Sequence, residues 1–234
     1  MARIHVISAG AAQSVVQQLA AAYEAATPHT VAGRFGAVGV QKARVLAGEP
    51  CDVIVLTAAV IDELLASGMA VGHRAELGRI GCGIAVRSGT PLPDVSNSRV
   101  LVGNLQAAEE IFLPDPAQAT AGIHFQRTLD AFGIRKKLEA RLRPYPNGFQ
   151  AMTALAKADG PLRIGMTMIT EIRLVRGVEL VGPLPAAMQL VTTYALAVSA
   201  RAAEPDLARD FIRRLTSNGA QAMLRDAGFE PKEA

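Results

Sequence analysis

Ile4-His5-Val6-Ile7-Ser8-Ala9-Gly10-Ala11-Ala12-Gln13-Ser14 decides the fold: an apolar run stops in small residues and a helical pattern begins at once. A strand that runs straight into a helix leaves the first N–H groups of that helix unpaired beside the positive end of its dipole. That is a seat for an anion which needs no basic side chain. Gly10, Ala11 and Ala12 leave the space open, while Gln13 and Ser14 either add side-chain donors or cap the helix. Similar small-residue junctions recur at residues 33–39, 115–122 and 146–150.

Outward from the first junction, Val15, Val16, Leu19, Ala20 and Tyr23 recur at helical spacing until Thr27-Pro28 ends the helix. Residues 30–35 read as a strand, and Gly36-Ala37-Val38-Gly39 opens a helix through Leu46 that Gly48 closes. Residues 51–56 are nearly all apolar, as expected of a strand buried on both faces in a parallel sheet, and residues 60–65 supply the next helix. This βαβαβα order predicts a doubly wound sheet. A strand at 80–86 contains Gly81, Cys82 and Gly83, which suit a chain passing between lobes. The alternation then restarts: a helix at 98–107, a strand at 109–113, a helix from the 115–122 junction to Gly133, and a helix at 134–142. A helix from Asn147-Gly148 to Ala158 and a strand at 162–166 follow. A last strand at 190–198, a helix opened by Glu204-Pro205 and a turn at 221–227 close the chain. The expected fold is α/β with two lobes, residues 1–82 with 190–234 in one and 83–189 in the other. They are joined by two crossings, with a central cleft collecting the helix N-termini beyond the strands' carboxyl ends.

Composition narrows the partners. The chain has 234 residues, half of them hydrophobic, enough for substantial cores. The 24 basic and 21 acidic residues are scattered and aromatics are only 4%, so neither a phosphate-tracking patch nor a base-stacking platform is present, and nucleic acid is not an expected partner. No run reaches the roughly 18 apolar residues of a membrane span, and residues 186–200 are broken by Gln189, Thr192, Thr193 and Tyr194. Met1-Ala2-Arg3-Ile4-His5-Val6 lacks the features of a secretory leader, so the chain as written is expected in the cytoplasm, and in the periplasm if a leader has been removed. Cys51 and Cys82 lie far apart in no metal-like spacing and read as buried thiols, with a disulfide open only if the fold juxtaposes them; no metal or cofactor is expected. The spacing of Gly33, Gly36 and Gly39 matches neither GxGxxG nor GxxxxGK followed by Ser or Thr.

These motifs together carry a resemblance. Ala9-Gly10-Ala11-Ala12, Phe35-Gly36-Ala37-Val38-Gly39, Leu46-Ala47-Gly48-Glu49-Pro50-Cys51-Asp52-Val53, Pro114-Asp115-Pro116 with Thr120-Ala121-Gly122, Gly160-Pro161-Leu162 and Gly228-Phe229 are similar to the molybdate-binding proteins of ABC transporters, within the type II periplasmic-binding fold. The resemblance runs over nearly the whole chain. It implies a small anionic ligand and, for an exported chain, the membrane component of an ABC transporter as partner. It also implies a serine in each of the first two junctions and a tyrosine near the second crossing as oxyanion contacts. The matching positions here are Ala11, one of Ala37, Val38 or Gly39, and Met166. All three hydroxyls are missing, at roughly 1–3 kcal/mol for each buried oxyanion partner lost, so the expected ligand is a carboxylate rather than molybdate.

Beside Ala11 and Ala12, the candidate ligand residues are Gln13, Ser14, Arg34, Thr57, Gln118, Thr120, Asn147, Gln150 and Thr167, a set of amides, hydroxyls and one guanidinium suited to planar carboxylates. Bacterial aconitate isomerase resembles the same group of proteins, which implies a second function: a cofactor-independent proton shift on an unsaturated tricarboxylate. That chemistry needs one group to take a proton and one to return it, and His124 and Asp115 are the titratable candidates near a helix start. The plain alternatives are a solvated Arg34 at a strand end and an ordinary helix residue at His124.

Overall fold

The computed structural model describes residues 1–230. They form two compact units, one from residues 1–80 and from 192 onward, the other from residues 81–191.

Unit 1 begins with β1 (Arg3–Ala9), a 3-10 turn over Gly10–Ala12, α1 (Gln13–Ala26), β2 (Thr30–Gly36), α2 (Val38–Leu46), β3 (Val53–Thr57) and α3 (Ala58–Ala66). Strand β4 (Ala70–Arg87) then carries the chain into unit 2. It is longer than residues 80–86 because its first half, polar and largely exposed, shows no apolar alternation that would mark a strand.

Unit 2 continues with α4 (Ser98–Ala107), β5 (Glu110–Pro114), α5 (Thr120–Ala131), α6 (Arg135–Leu138), β6 (Leu142–Tyr145), α7 (Gly148–Leu155), β7 (Arg163–Met168), α8 (Ile169–Leu174) and β8 (Val178–Pro183). Strand β9 (Val191–Ser199) returns the chain to unit 1, where α9 (Pro205–Leu215) and α10 (Gln221–Ala227) finish it.

The doubly wound sheet expected from the βα order is mixed rather than parallel throughout, in the same way in both units. In unit 1 the order is β2-β1-β3-β9, with β1 parallel to β2 and β3 and β9 antiparallel to β3. In unit 2, β6, β5 and β7 are parallel, whereas β4 runs antiparallel to β7 and β8 antiparallel to β4. The antiparallel members are the two strands on which the chain changes unit, together with the edge strand β8. A βα repeat in sequence says nothing about a strand that arrives by another route. Two strands escape the hydrophobic pattern, β6 and β8. Both lie at sheet edges, are only half-buried and contain proline, which edge strands tolerate because one row of N–H groups is unpaired there. The expected helix at 134–142 shortens to α6 and a 3-10 turn over Glu139–Arg141, because Leu142 already pairs with Ile111 in the sheet.

Packing follows the apolar faces. All five residues of β3 are buried. Tyr23 of α1 meets Phe211 of α9 edge-on at 5.7 Å, with Arg214 over its ring. In unit 2, Ala151, Met152 and Leu155 of α7 close over Ala85 and Phe112 together with Ile172 and Val175. Truncating Met152 or Leu155 there would cost about 2–5 kcal/mol.

Candidate functional site

Parallel strands share a carboxyl edge, so β1, β2 and β3 deliver the starts of α1, α2 and α3 to one edge of the unit 1 sheet. Ala9 pairs with Gly36 in register, which makes the α1 and α2 junctions direct neighbours. In unit 2, β5, β6 and β7 bring the starts of α5, α7 and α8 to one edge in the same way.

Several of these helix starts carry no side-chain cap. The residues that precede the turn before α1, and α2, α3 and α5, are Ala9, Ala37, Thr57 and Ala119, and none makes a side-chain cap hydrogen bond. Ala11 and Ala12 are buried in the turn after β1, and the Gln13 N–H is spent on Gly10 O. Val38 and Gly39 form the first turn of α2, and Thr120 opens α5. Thr57 ends β3 opposite Tyr194 of β9. By contrast, Asn97 caps α4 through the Val100 N–H at 3.0 Å, and Asn147 caps α7 through the Gln150 N–H at 2.9 Å.

The α7 start is closed a second time. Glu171, buried in the first turn of α8, accepts hydrogen bonds from the Gly148, Phe149 and Met168 N–H groups and from Thr167 Oγ1 at 2.6 Å. A Cβ on Gly148 would overlap Glu171 Oε2 and Thr167 Oγ1, so only glycine lets the carboxylate sit against the helix start. Burial nevertheless raises the Glu171 carboxyl above its ordinary value, against the lowering effect of those hydrogen bonds. Of the ligand candidates at this junction, Thr167 thus spends its hydroxyl on Glu171 and Asn147 spends its Oδ1 on the helix cap, while Gln150 is engaged through its backbone N–H. The backbone N–H groups of Gly148 and Phe149 serve the protein's own carboxylate.

Three further candidates are also re-read. Arg34 lies on exposed edge strand β2 and pairs at 3.1 Å with Glu49, which takes Arg44 as well, so it is a solvated ion pair and no clamp at the junction. Asp115 accepts the Ala117 and Gln118 N–H groups at 2.7 and 2.9 Å, which closes the turn before α5 and occupies the Gln118 donor. His124 is half-buried on α5 and its Nε2 lies 2.7 Å from Met188 O, a bond in which the ring donates and which fixes the proton on that nitrogen. Met166, the match to the implied tyrosine, is fully buried within β7, and it is Met168 that stands at the strand end.

The sequence reading missed Glu171 and Gln41. An acidic residue four after Thr167, just past an apolar strand, was a signal for the first. For the second the signal was a glutamine on the apolar face marked by Gln41 and Val45. Cys51 and Cys82 are separate free thiols. Burial pushes Cys51 up to about 12 and Cys82 higher still. Among the described residues no cluster of His, Cys, Asp and Glu could hold a metal, and no helix is long and apolar enough to cross a membrane.

This arrangement has close parallels among known proteins. The sequence profile of the bacterial extracellular solute-binding proteins matches residues 4–230. The chain belongs to that family. The aconitate isomerase of a Pseudomonas species is 29% identical over 236 residues, 98% of this chain and 88% of that protein. The solved periplasmic molybdate-binding protein of Azotobacter vinelandii is 23% identical and superposes with a TM-score of 0.82 over 98% of this chain and 100% of its own. The sulfate-binding protein SubI of Mycobacterium tuberculosis is 16% identical, with a TM-score of 0.73 over 99% of this chain and 87% of its own. The chain therefore has the mixed α/β periplasmic-binding fold, and it is a solute-binding protein by family.

Proposed function

We propose that this solute-binding protein takes a small, multiply charged carboxylic acid rather than molybdate, held by the uncapped starts of α1, α2 and α3. One observation carries the reading: those starts follow Ala9, Ala37 and Thr57, which make no side-chain cap hydrogen bond, and parallel β1, β2 and β3 bring them to one edge of the unit 1 sheet. Each uncapped start favours an anion by roughly 0.3–2 kcal/mol, and several of them favour several negative groups. The small apolar residues Ala11, Ala37, Val38 and Gly39 leave an oxyanion without the hydroxyl partners it needs when dehydrated. The family description as extracellular supports an exported receptor whose partner is the membrane component of an ABC transporter, with the periplasm as its address.

Titration calorimetry with citrate, tricarballylate, succinate, sulfate and molybdate at neutral pH tests the reading. The expected result is a tricarboxylate bound at least about tenfold more tightly than molybdate. Submicromolar molybdate binding would overturn it, and would mean that backbone N–H groups suffice for the oxyanion.

The likeness to aconitate isomerase along nearly the whole chain favours a second reading, proton transfer on an unsaturated tricarboxylate. The geometry offers it little, because Asp115 is spent on two N–H groups and His124 keeps only Nδ1 for a proton. Incubation with trans-aconitate in deuterium oxide is expected to leave the compound unlabelled. Appearance of the cis isomer carrying deuterium would establish the isomerase.

A further inference from the structure

Gln41 sits one turn into α2 and is 2% exposed, on the side of the helix that also buries Val45. Its Oε1 is buried with no hydrogen-bond partner among the described residues. The other end of the amide reaches back to the junction: a Cβ built on Gly36, the last residue of β2, would lie 2.5 Å from Gln41 Nε2. Long side chains on a helix lean toward its N-terminus, which brings this amide under the first turn of α2. That turn is one whose N-cap, Ala37, supplies no side chain.

A leucine or methionine would fill the same volume with no polar atom to bury. Glutamine instead leaves a carbonyl unsatisfied, a penalty that the folded protein bears with no return from its own contacts. The amide has two ends, and burying the acceptor is the less costly choice because it holds the two N–H donors toward the junction.

We propose that Gln41 is a ligand-contacting residue, its Nε2 donating to a carboxylate oxygen of the solute seated on the α2 start. It is the donor that replaces the hydroxyl missing at Ala37, Val38 and Gly39, and a planar amide suits a planar carboxylate. The inference rests on the carboxylate-binding reading, which supplies the anion. Ser14 gives the neighbouring junction a matching feature, since its Oγ is also buried without a partner among the described residues.

Two measurements on Gln41→Met and Gln41→Glu test it. In the absence of solute, Gln41→Met is expected to melt a few degrees higher than the wild type, because the orphan carbonyl is gone. In calorimetry with citrate, or whichever tricarboxylate binds the wild type most tightly, Gln41→Met is expected to lose about 10- to 100-fold in affinity. Gln41→Glu, which keeps the shape but opposes a second anion, is expected to lose more. If the wild type binds the tricarboxylate and Gln41→Met binds it within twofold, the inference fails while the function stands. If Gln41→Met melts lower than the wild type, the amide is a structural bond and the inference also fails. If the wild type binds none of the carboxylates, the function fails first and takes the inference with it.

Discussion

Asp115 shows how a titratable residue at a helix start can be structural. Its carboxylate closes the turn before α5 by accepting the Ala117 and Gln118 N–H groups, and nothing in that geometry asks for a proton to move. Asp115→Ala is expected to cost about 1 kcal/mol, the usual cost of losing a capping oxygen, or about 2–4 °C in Tm for a chain of this size. Asp115→Asn, which keeps the oxygen, should lie within about 0.5 kcal/mol of the wild type. Thermal melts of the two variants check this, and an Asp115→Ala protein as stable as the wild type would contradict it. The sequence made Asp115 conspicuous because it is a titratable group near an expected helix start. It could not show that two backbone donors two and three residues on would consume the carboxylate. Arg34 was misleading for a similar reason: its partner Glu49 is fifteen residues away.

At the level of elements, the small-residue junctions were legible because glycine and alanine runs at strand ends leave their mark in any reading. Six of the nine strands, β1, β2, β3, β5, β7 and β9, and the helices α1, α2, α3, α4, α5, α7 and α9 fall where the sequence reading put them. What the sequence concealed is which junction is open. The start of α7 reads like that of α5 until Glu171 arrives from α8, twenty-three residues after Gly148. The edge strands β6 and β8 were hidden because a half-buried edge needs no strong apolar alternation.

The closed junction has a pH signature. Burial raises the folded-state carboxyl of Glu171 above its ordinary 4.5, so the stability it contributes is fullest below about pH 4.5 and is lost as pH rises through the raised folded value. Glu171→Gln has no such titration and places an amide against N–H donors, which makes it the less stable protein in acid. The Tm difference between the wild type and Glu171→Gln is therefore expected to narrow as the pH rises above about 4.5. A difference that widens over that range would mean that the four hydrogen bonds outweigh burial and hold the carboxyl low.

Over the whole molecule, the family and the periplasmic-binding fold were carried by fragments spread along the chain, none decisive alone. The antiparallel β4 and β9 were not foreseen, because pairing direction depends on the path by which the chain leaves and re-enters a unit. Ligand class is a property of a few positions on that shared frame, and fold likeness to molybdate- and sulfate-binding proteins does not transmit it. The central claim is that the shared edge of the unit 1 sheet is the working one: the uncapped starts of α1, α2 and α3 hold the solute, whereas the α7 start is held by the protein's own Glu171. Backbone amide NMR during a tricarboxylate titration tests this most directly. The account predicts large shifts at Gly10 to Ala12, Val38 to Val40 and Ala58 to Val60, with Gly148 to Gln150 unmoved. Shifts centred on Gly148 to Gln150, with the three unit 1 starts silent, would contradict it.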